Sequence, residues 1–233
     1  MQSRVMFITG GSTGIGAATA RMAVGEGFRV VVTARSEEKL QALAEELGRD
    51  QVRAVRCDVQ DQQSLEAAVE ETIEHFGRLD VVFANAGVGG EPGGFSSAPP
   101  DSWREMLMTN VFGLALTLRS TAAHLKASRG HVVITSSVAG RRSLAGSMYS
   151  ATKWAATCIG HGFRKELAGT GVRVTLIEPG LVDTPFFDEP KKGYLESEDV
   201  ARAVLYAVNQ PPHAEVHEVT LVPMRQQDDN LLP

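Results

Sequence analysis

The sequence has few cysteines, no long apolar run and no excess of positive charge. Two cysteines occur in 233 residues. Cys57, after a strand pattern, and Cys158, within a helix pattern, fit buried reduced thiols of a cytoplasmic protein better than a disulfide. No apolar run is long enough to span a membrane, and the short segment before the first strand leaves no room for a signal peptide.

Charge and histidine spacing exclude further classes of partner. With a net charge of −5, the chain has no basic patch, so we expect neither nucleic acid nor a membrane as a partner. The six histidines show no metal-ligand spacing, so we expect no metal site.

What the sequence does have is a regular alternation of β-type and helical patterns. This alternation predicts a doubly wound, mostly parallel seven-stranded sheet with helices on both faces. The predicted strands are 4–8, 28–33, 51–55, 79–84, 131–135, 172–177 and 217–223. The predicted helices run from about 14 through 23 and over 36–48, 61–76, 101–127, 148–169 and 197–209.

No linker, repeat or low-complexity run divides the chain. With 43% hydrophobic residues, it can bury one large core. We therefore predict a single α/β domain over 1–233. Its cofactor half covers about 1–90 and its catalytic and substrate half about 91–233, with a lid over about 181–196.

A glycine-rich loop follows the first predicted strand at once and opens the first helix. Glycines allow sharp turns and close approach to a pyrophosphate, and a helix N-terminus offers unpaired N–H groups to that anion. Strand, glycines and helix in this order predict a dinucleotide-binding Rossmann fold. The predicted contacts are Gly10, Ser12, Thr13, Gly14, Ile15 and Gly16.

A serine, a tyrosine and a lysine with useful spacing follow the fifth strand. Tyr149 and Lys153 are one helical turn apart, so their side chains share a face. An ammonium about 4 Å from the phenol would be worth roughly 4 kcal/mol, or about three pKa units, and would bring the phenol near neutrality. Ser137 would then hold a substrate oxygen while Tyr149 exchanges its proton. A solvated helix face is the alternative reading of the Tyr149–Lys153 pair.

These motifs together resemble those of the classical short-chain dehydrogenase/reductase family. The matching residues are Thr9-Gly10-x-x-x-Gly14-Ile15-Gly16, Asp58, Asn85-Ala86-Gly87, Asn110, Ser137, Tyr149-x-x-x-Lys153, and Pro179-Gly180 with Thr184. The resemblance implies a catalytic tetrad of Asn110, Ser137, Tyr149 and Lys153. It selects Ser137 over Ser136, and it places Asn110 at a local distortion of its helix.

The end of the second strand bears on the cofactor. An acidic residue about 20 positions after the glycines would favour NAD, but the strand ends at Arg35, which can bind a 2′-phosphate in a planar, two-pronged fashion. We therefore expect NADP(H), with NAD(H) as the weaker alternative, because many NADP-preferring relatives have a basic residue where this chain has Thr13. Arg35 could also merely solvate the start of a helix whose N-cap is Ser36.

Other strand ends carry the remaining predicted cofactor contacts. Asp58 is predicted to bind the adenine amino group, with Val59 beside the ring; the alternative for Asp58 is a helix cap near Asp61. A small-residue turn after the fourth strand would lie against the cofactor, and the turn after the sixth would meet the nicotinamide. The residues of these two turns are Asn85, Ala86, Gly87, Pro179, Gly180, Val182 and Thr184.

The loops around this edge are predicted to select the substrate. They are 88–96, 141–148 and the lid, with Phe95, Phe186 and Phe187 as candidate walls; apolar packing under a loop is the alternative for these three rings. The C-terminal phrase NQPPHAEVHEVTLVPMRQQ resembles a branch that uses NADP on small hydroxy acids and related alcohols or ketones. That branch implies a homotetramer, or at least a homodimer.

The expected activity is hydride transfer between the nicotinamide and a small carbonyl compound or secondary alcohol. A nucleotide-sensing protein that has lost catalysis is the main alternative. A sugar-nucleotide epimerase or dehydratase fits less well, because only about fifty residues follow Pro179 and three residues separate the first two motif glycines.

Overall fold

A computed structural model describes residues 3–186 and 193–224 of the chain. Seven strands form one sheet in the order β3-β2-β1-β4-β5-β6-β7, and every pairing between them is parallel. The predicted seven-stranded sheet is confirmed. The strands are β1 Val5–Thr9, β2 Arg29–Ala34, β3 Val52–Arg56, β4 Val81–Ala84, β5 His131–Thr135, β6 Arg173–Pro179 and β7 Glu218–Leu221.

Helices cover both faces of the sheet, as predicted. They are α1 Gly14–Gly25, α2 Glu37–Leu47, α3 Gln62–Phe76, α4 Gly94–Ser97, α5 Pro100–Leu107, α6 Leu114–Ser128, α7 Met148–Glu166 and α8 Ser197–Val208, with a π-helical segment Met108–Gly113 and a 3₁₀ turn Val138–Gly140.

Successive side chains of the strands point to opposite faces, so the sheet separates two apolar cores. In β1, Phe7 faces the core beneath α3, α6 and α7, whereas Ile8 faces the core beneath α1, α2 and α8. Both side chains are fully buried. The continuous apolar runs read from the sequence are therefore those of strands covered on both sides.

The region predicted as one helix over 101–127 is helical throughout, but it is not α-helical throughout. It starts as α5, passes through the π-helical segment Met108–Gly113 and continues as α6. Asn110 lies in the π-helical segment, so the local distortion implied by the family resemblance is present at this residue.

Two further sequence-based expectations need correction. Cys158 was expected to be buried but is exposed, because it lies on the solvent side of α7; Cys57 is buried as expected. The helix predicted to end at 169 ends at Glu166, and Gly169 after it has a φ of +81°, in the left-handed region that commonly follows a helix.

The segment predicted as a lid, 181–196, is described only at its two ends. Val182 pairs with Leu195 in an isolated parallel bridge, and the backbone N–H of Asp183 donates to the carbonyl of Leu195 at 2.8 Å. Phe187 lies outside the described residues.

No helix in 3–186 or 193–224 is long and apolar enough to cross a membrane. In the same residues, no group of three or more His, Cys, Asp or Glu side chains is arranged to hold a metal ion.

Candidate active site

A cleft of about 810 Å³ runs along the carboxyl ends of the strands. This edge is where open α/β sheets bind their ligands, and the volume suits a cofactor and a small substrate. All the sequence-predicted site residues line it except Gly16 and Asn110. The predicted site residues that line the cleft are Gly10, Ser12, Thr13, Gly14, Ile15, Arg35, Asp58, Val59, Asn85, Ala86, Gly87, Ser137, Tyr149, Lys153, Pro179, Gly180, Val182 and Thr184.

The glycine-rich loop forms one wall of the cleft and leads into α1. Gly10 has a φ of +65°, which a side chain rarely allows, and a Cβ there would lie 2.9 Å from Ala86 Cα. Gly16 lies under the loop instead of facing the cleft, and a Cβ on it would overlap the carbonyl oxygen of Gly10. Gly16 therefore acts in close packing of the helix on the loop.

Asn85 ties three strand ends together below the cleft. Its amide nitrogen donates to the carbonyl oxygens of Thr9 and Gly10 at 3.3 and 3.2 Å. Its carbonyl oxygen accepts from the Thr135 hydroxyl at 3.1 Å. The side chain thus fixes the ends of β1, β4 and β5.

Ser137, Tyr149 and Lys153 come together in the same cleft. Lys153 Nζ lies 5.6 Å from the centroid of the Tyr149 ring and donates to the carbonyl of Thr135 at 2.9 Å. Ser137 caps the 3₁₀ turn by accepting from the backbone N–H of Ala139 at 3.1 Å. All three side chains point into one space at the end of β5.

The structure also separates the two neighbouring serines. The hydroxyl of Ser136 bonds that of Thr157 at 2.7 Å and donates to the Lys153 carbonyl at 3.3 Å. Ser136 therefore holds α7 against β5. The hydroxyl of Ser137 donates to the Pro179 carbonyl at 3.3 Å, at the strand end where the nicotinamide was predicted to lie.

The protonation behaviour of this group differs from the expectation based on charge alone. Burial raises the pKa of Tyr149 to about 12, and hydrogen bonding with Ser137 opposes the rise only in part. Burial lowers the pKa of Lys153 to about 8. In the protein alone, the loss of hydration on burial therefore moves the Tyr149 pKa away from neutrality, opposite to the direction expected from Lys153.

Asn110 lies beneath the cleft and joins two elements. Its Oδ1 accepts from the backbone N–H of Val88 at 2.8 Å, and its Nδ2 donates to the Val88 carbonyl at 2.9 Å and to Thr152 Oγ1 at 3.1 Å. A cavity of about 10 Å³ lies between Asn110, Thr135 and Lys153, about the space that one water molecule needs.

The end of the cleft that is predicted to hold the adenosine is lined by Arg35 together with Lys39, which the sequence reasoning missed. Lys39 lies in the first turn of α2, and a second basic residue so soon after the end of the second strand was the signal that could have found it. Ser36 is the N-cap of α2 by position, although its side chain makes no capping hydrogen bond.

The alternative reading of Asp58 as a helix cap is not what the structure shows. Asp61 caps α3 by accepting from the backbone N–H groups of Gln63 and Ser64. Asp58 instead closes a local turn by accepting from the backbone N–H of Gln60 at 3.0 Å.

The substrate end of the cleft is walled by Phe186, Leu144 and Arg142. The Phe186 ring packs edge-on against Tyr149 with 5.6 Å between ring centroids. Phe95 does not line the cleft; its ring packs against Trp103 at 6.1 Å.

The chain is similar to known proteins over most of its length. The family model described as short chain dehydrogenase matches residues 4–194. An uncharacterized oxidoreductase of Staphylococcus haemolyticus is 38% identical over 229 residues, which are 96% of this chain and 99% of the relative.

Solved structures of similar chains include enzymes with bound cofactors. The alcohol dehydrogenase of Thermococcus sibiricus, complexed with 5-hydroxy-NADP, is 32% identical with a TM-score of 0.89 and covers 95% of this chain and 97% of its own. The serine dehydrogenase of Escherichia coli is 30% identical with a TM-score of 0.88, covering 95% and 99%. A 3-ketoacyl-(acyl-carrier-protein) reductase of Brucella melitensis, complexed with NADH, is 26% identical with a TM-score of 0.86, covering 94% and 97%.

Proposed function

The chain belongs to the short-chain dehydrogenase/reductase family and is an oxidoreductase that uses NAD(P)(H), and from this premise we propose a narrower activity. It transfers hydride between NADP(H) and the carbonyl or secondary alcohol carbon of a small ketone, aldehyde or hydroxy acid. The observation that carries the proposal is the meeting of Ser137, Tyr149 and Lys153 in the cleft that the glycine-rich loop opens.

Two features of the cleft suit a dinucleotide. The cradle at Gly10, which a Cβ would fill, and the N-terminus of α1 suit a pyrophosphate. The bound nicotinamide supplies or accepts the hydride. Arg35 and Lys39 place two cations at the adenosine end, which supports NADP(H) over NAD(H).

The side chains of the tetrad divide the proton chemistry. Ser137 donates a hydrogen bond to the substrate oxygen. Tyr149 is neutral near pH 7, since burial raises its pKa to about 12, and it donates its proton to that oxygen during carbonyl reduction. Lys153 holds positive charge beside the phenol as the proton leaves. Asn110 and the 10 Å³ cavity continue the path by which the proton is replaced.

The test is an absorbance assay with NADPH and NADH on a panel of ketones, aldehydes, diketones and 3-hydroxy acids in both directions. We expect turnover that prefers NADPH, and Arg35→Ala should reduce that preference. Tyr149→Phe should abolish turnover while leaving the dissociation constant for NADPH within about twofold, because the ring and its packing remain.

Two outcomes would contradict the proposal. Full activity of Tyr149→Phe would remove Tyr149 from the chemistry. Tight NADPH binding with no turnover on any compound of the panel would instead support a cofactor-sensing protein of the same fold.

The proposed assembly is a homotetramer. Leu107, Phe112 and Trp154 are 44%, 45% and 46% exposed although they are large and apolar, and they belong to α5, the π-helical segment and α7. Such side chains are typical of a surface that packs against another copy. Light scattering should give the mass of four chains, and a monomer would refute this assembly.

A further inference from the structure

Glu105 places a carboxylate beside the cation that was assigned to the cofactor phosphate. Arg35 Nη1 lies 2.9 Å from Glu105 Oε1, although the two residues are seventy positions apart. Arg35 lines the cleft, whereas Glu105 does not line it and contacts Arg35 from α5. A carboxylate of α5 therefore holds the Arg35 guanidinium at the end of the cleft assigned to the adenosine.

Other contacts fix Glu105 independently of Arg35. Its Oε2 accepts from Gln60 Nε2 at 3.0 Å, and the same nitrogen donates to Thr109 Oγ1 at 2.9 Å. Hydrogen bonding by Gln60, then by Arg35, lowers the pKa of Glu105. The group is therefore an anchored anion at neutral pH.

We propose that Glu105 sets the cofactor selectivity by competing with the 2′-phosphate of NADP(H) for the Arg35 guanidinium, and so reduces the preference over NAD(H). The proposal rests on the proposed function, because it takes the assignment of Arg35 from there. Glu105 is a positioning residue, since it acts through Arg35.

The geometry explains why the effect selects between cofactors. A guanidinium binds phosphate best through two parallel N–H hydrogen bonds. In this structure, Nη1 of Arg35 already donates a hydrogen bond to Glu105. A 2′-phosphate must either share the guanidinium with the Glu105 carboxylate, which has the same sign of charge, or displace that carboxylate from the guanidinium. NADH presents a neutral 2′-hydroxyl at this place and experiences neither effect. Lys39 also lines this end, and its positive charge still favours binding of the 2′-phosphate of NADP(H).

The decisive variant is Glu105→Gln, which removes the charge and keeps a side chain that can bond Gln60. We expect the dissociation constant for NADPH to fall roughly fivefold, as breaking an exposed ion pair and a like-charge contact allows. The constant for NADH should change less than twofold. Both constants are measured by titration calorimetry at one fixed, low ionic strength, with the melting temperature of each variant recorded.

The same substitution is then made together with Arg35→Ala. If Glu105 acts through Arg35, the selectivity change caused by Glu105→Gln disappears in the Arg35→Ala background. Glu46→Gln is the matched control, because Glu46 pairs with Arg21 at 2.6 Å on an exposed surface and neither residue lines the cleft. It should leave both dissociation constants unchanged.

The outcomes separate this proposal from the proposed function. Weaker NADPH binding in Glu105→Gln would show that Glu105 orients Arg35 for the phosphate, and equal changes for both cofactors would show a structural role; either result overturns the proposal. If Arg35→Ala alone leaves NADPH binding unchanged, the NADP(H) assignment itself falls and this proposal falls with it. Because binding is measured, absence of turnover does not affect the test.

Discussion

Lys153 is a buried cation with little to compensate its burial in the protein alone. It is 5% exposed, and its ammonium donates to one carbonyl, that of Thr135. Burial lowers its pKa to about 8, so the folded state binds a proton less tightly than the unfolded chain does. A residue proposed for the chemistry therefore costs stability, a trade often found at active sites.

Lys153→Met should stabilise the cofactor-free protein while abolishing turnover. The unfolded lysine keeps its proton up to a pH of about 10.5, so the cost is complete below about pH 8 and decreases as the pH rises toward 10.5. We expect a melting temperature higher by about 2–4 °C at pH 7, or roughly 1 kcal/mol.

Calorimetric melting at pH 7 and pH 10 measures this difference. Lys126→Met, at an exposed position of α6, is the control and should show no such pH dependence. A Lys153→Met protein that melts lower than the wild type at pH 7 would show that the Thr135 bond outweighs the burial of the charge.

At the scale of residues, the sequence predicted which side chains meet but not how they titrate. The four-residue spacing of Tyr149 and Lys153 placed both side chains on one helix face, and the family resemblance assigned that face to the active site. The direction of the Tyr149 pKa change was not predictable, because it depends on burial by distant segments such as the one carrying Phe186. The pairing of Arg35 with Glu105 was also out of reach, since no local pattern joins residues so far apart.

At the scale of elements, the junction of the glycine-rich loop and α1 is a tightly packed point of the fold. A Cβ on Gly16 would overlap the Gly10 carbonyl and lie 2.9 Å from Asn85 Nδ2. Backbone atoms cannot move aside without shifting the loop that forms the cleft wall. Gly25, the last residue of the same helix, has nothing within 4 Å of an added Cβ.

Gly16→Ala should therefore weaken NADPH binding at least tenfold and lower stability by about 1–3 kcal/mol, as overpacking does. Gly25→Ala should leave binding unchanged and add up to about 0.5–1 kcal/mol, because alanine favours the helix. Denaturant unfolding and cofactor titration of both variants measure the effects. Equal behaviour of the two would mean that the loop adjusts freely around Gly16.

The π-helical segment shows why one element was predicted only in outline. The apolar pattern over 101–127 indicated a single helix, and the π-helical distortion at Met108–Gly113 was expected only from the family resemblance. The amide of Asn110 bonds both backbone groups of Val88, a contact between segments far apart in the sequence. Local propensity does not contain that contact, whereas the strands and the other long helices follow from local pattern.

At the scale of the whole molecule, the two cores share one sheet, so its central strands have no access to water. β5 lies between β4 and β6, and its first residue is a histidine that is 2% exposed. His131 Nε2 bonds Thr175 Oγ1 at 2.8 Å, and within the described part of the chain Nδ1 has no hydrogen-bond partner. Burial, then the charges of Arg173 and Arg4, lowers the pKa of His131 to about 3.

The stability of the whole fold should consequently depend on pH through His131. The unfolded histidine takes up its proton below about pH 6.5, whereas the folded one stays neutral down to about pH 3. Its contribution to stability is therefore complete above pH 6.5 and is lost as the pH falls from 6.5 toward 3. In this window His131 should lower the free energy of unfolding by up to about 1.4 kcal/mol for each pH unit of acidification.

His131→Gln should remove that component, because a neutral amide takes up no proton in either state. Denaturant unfolding between pH 7 and pH 4.5 should give a shallower dependence on pH for His131→Gln than for the wild type, whatever the stability of the variant at pH 7. His75→Gln, at an exposed position of α3, should keep the wild-type slope. Parallel slopes for His131→Gln and the wild type would contradict this prediction. They would mean that protonation of carboxylates drives acid unfolding and that His131 takes up its proton only after the sheet has opened.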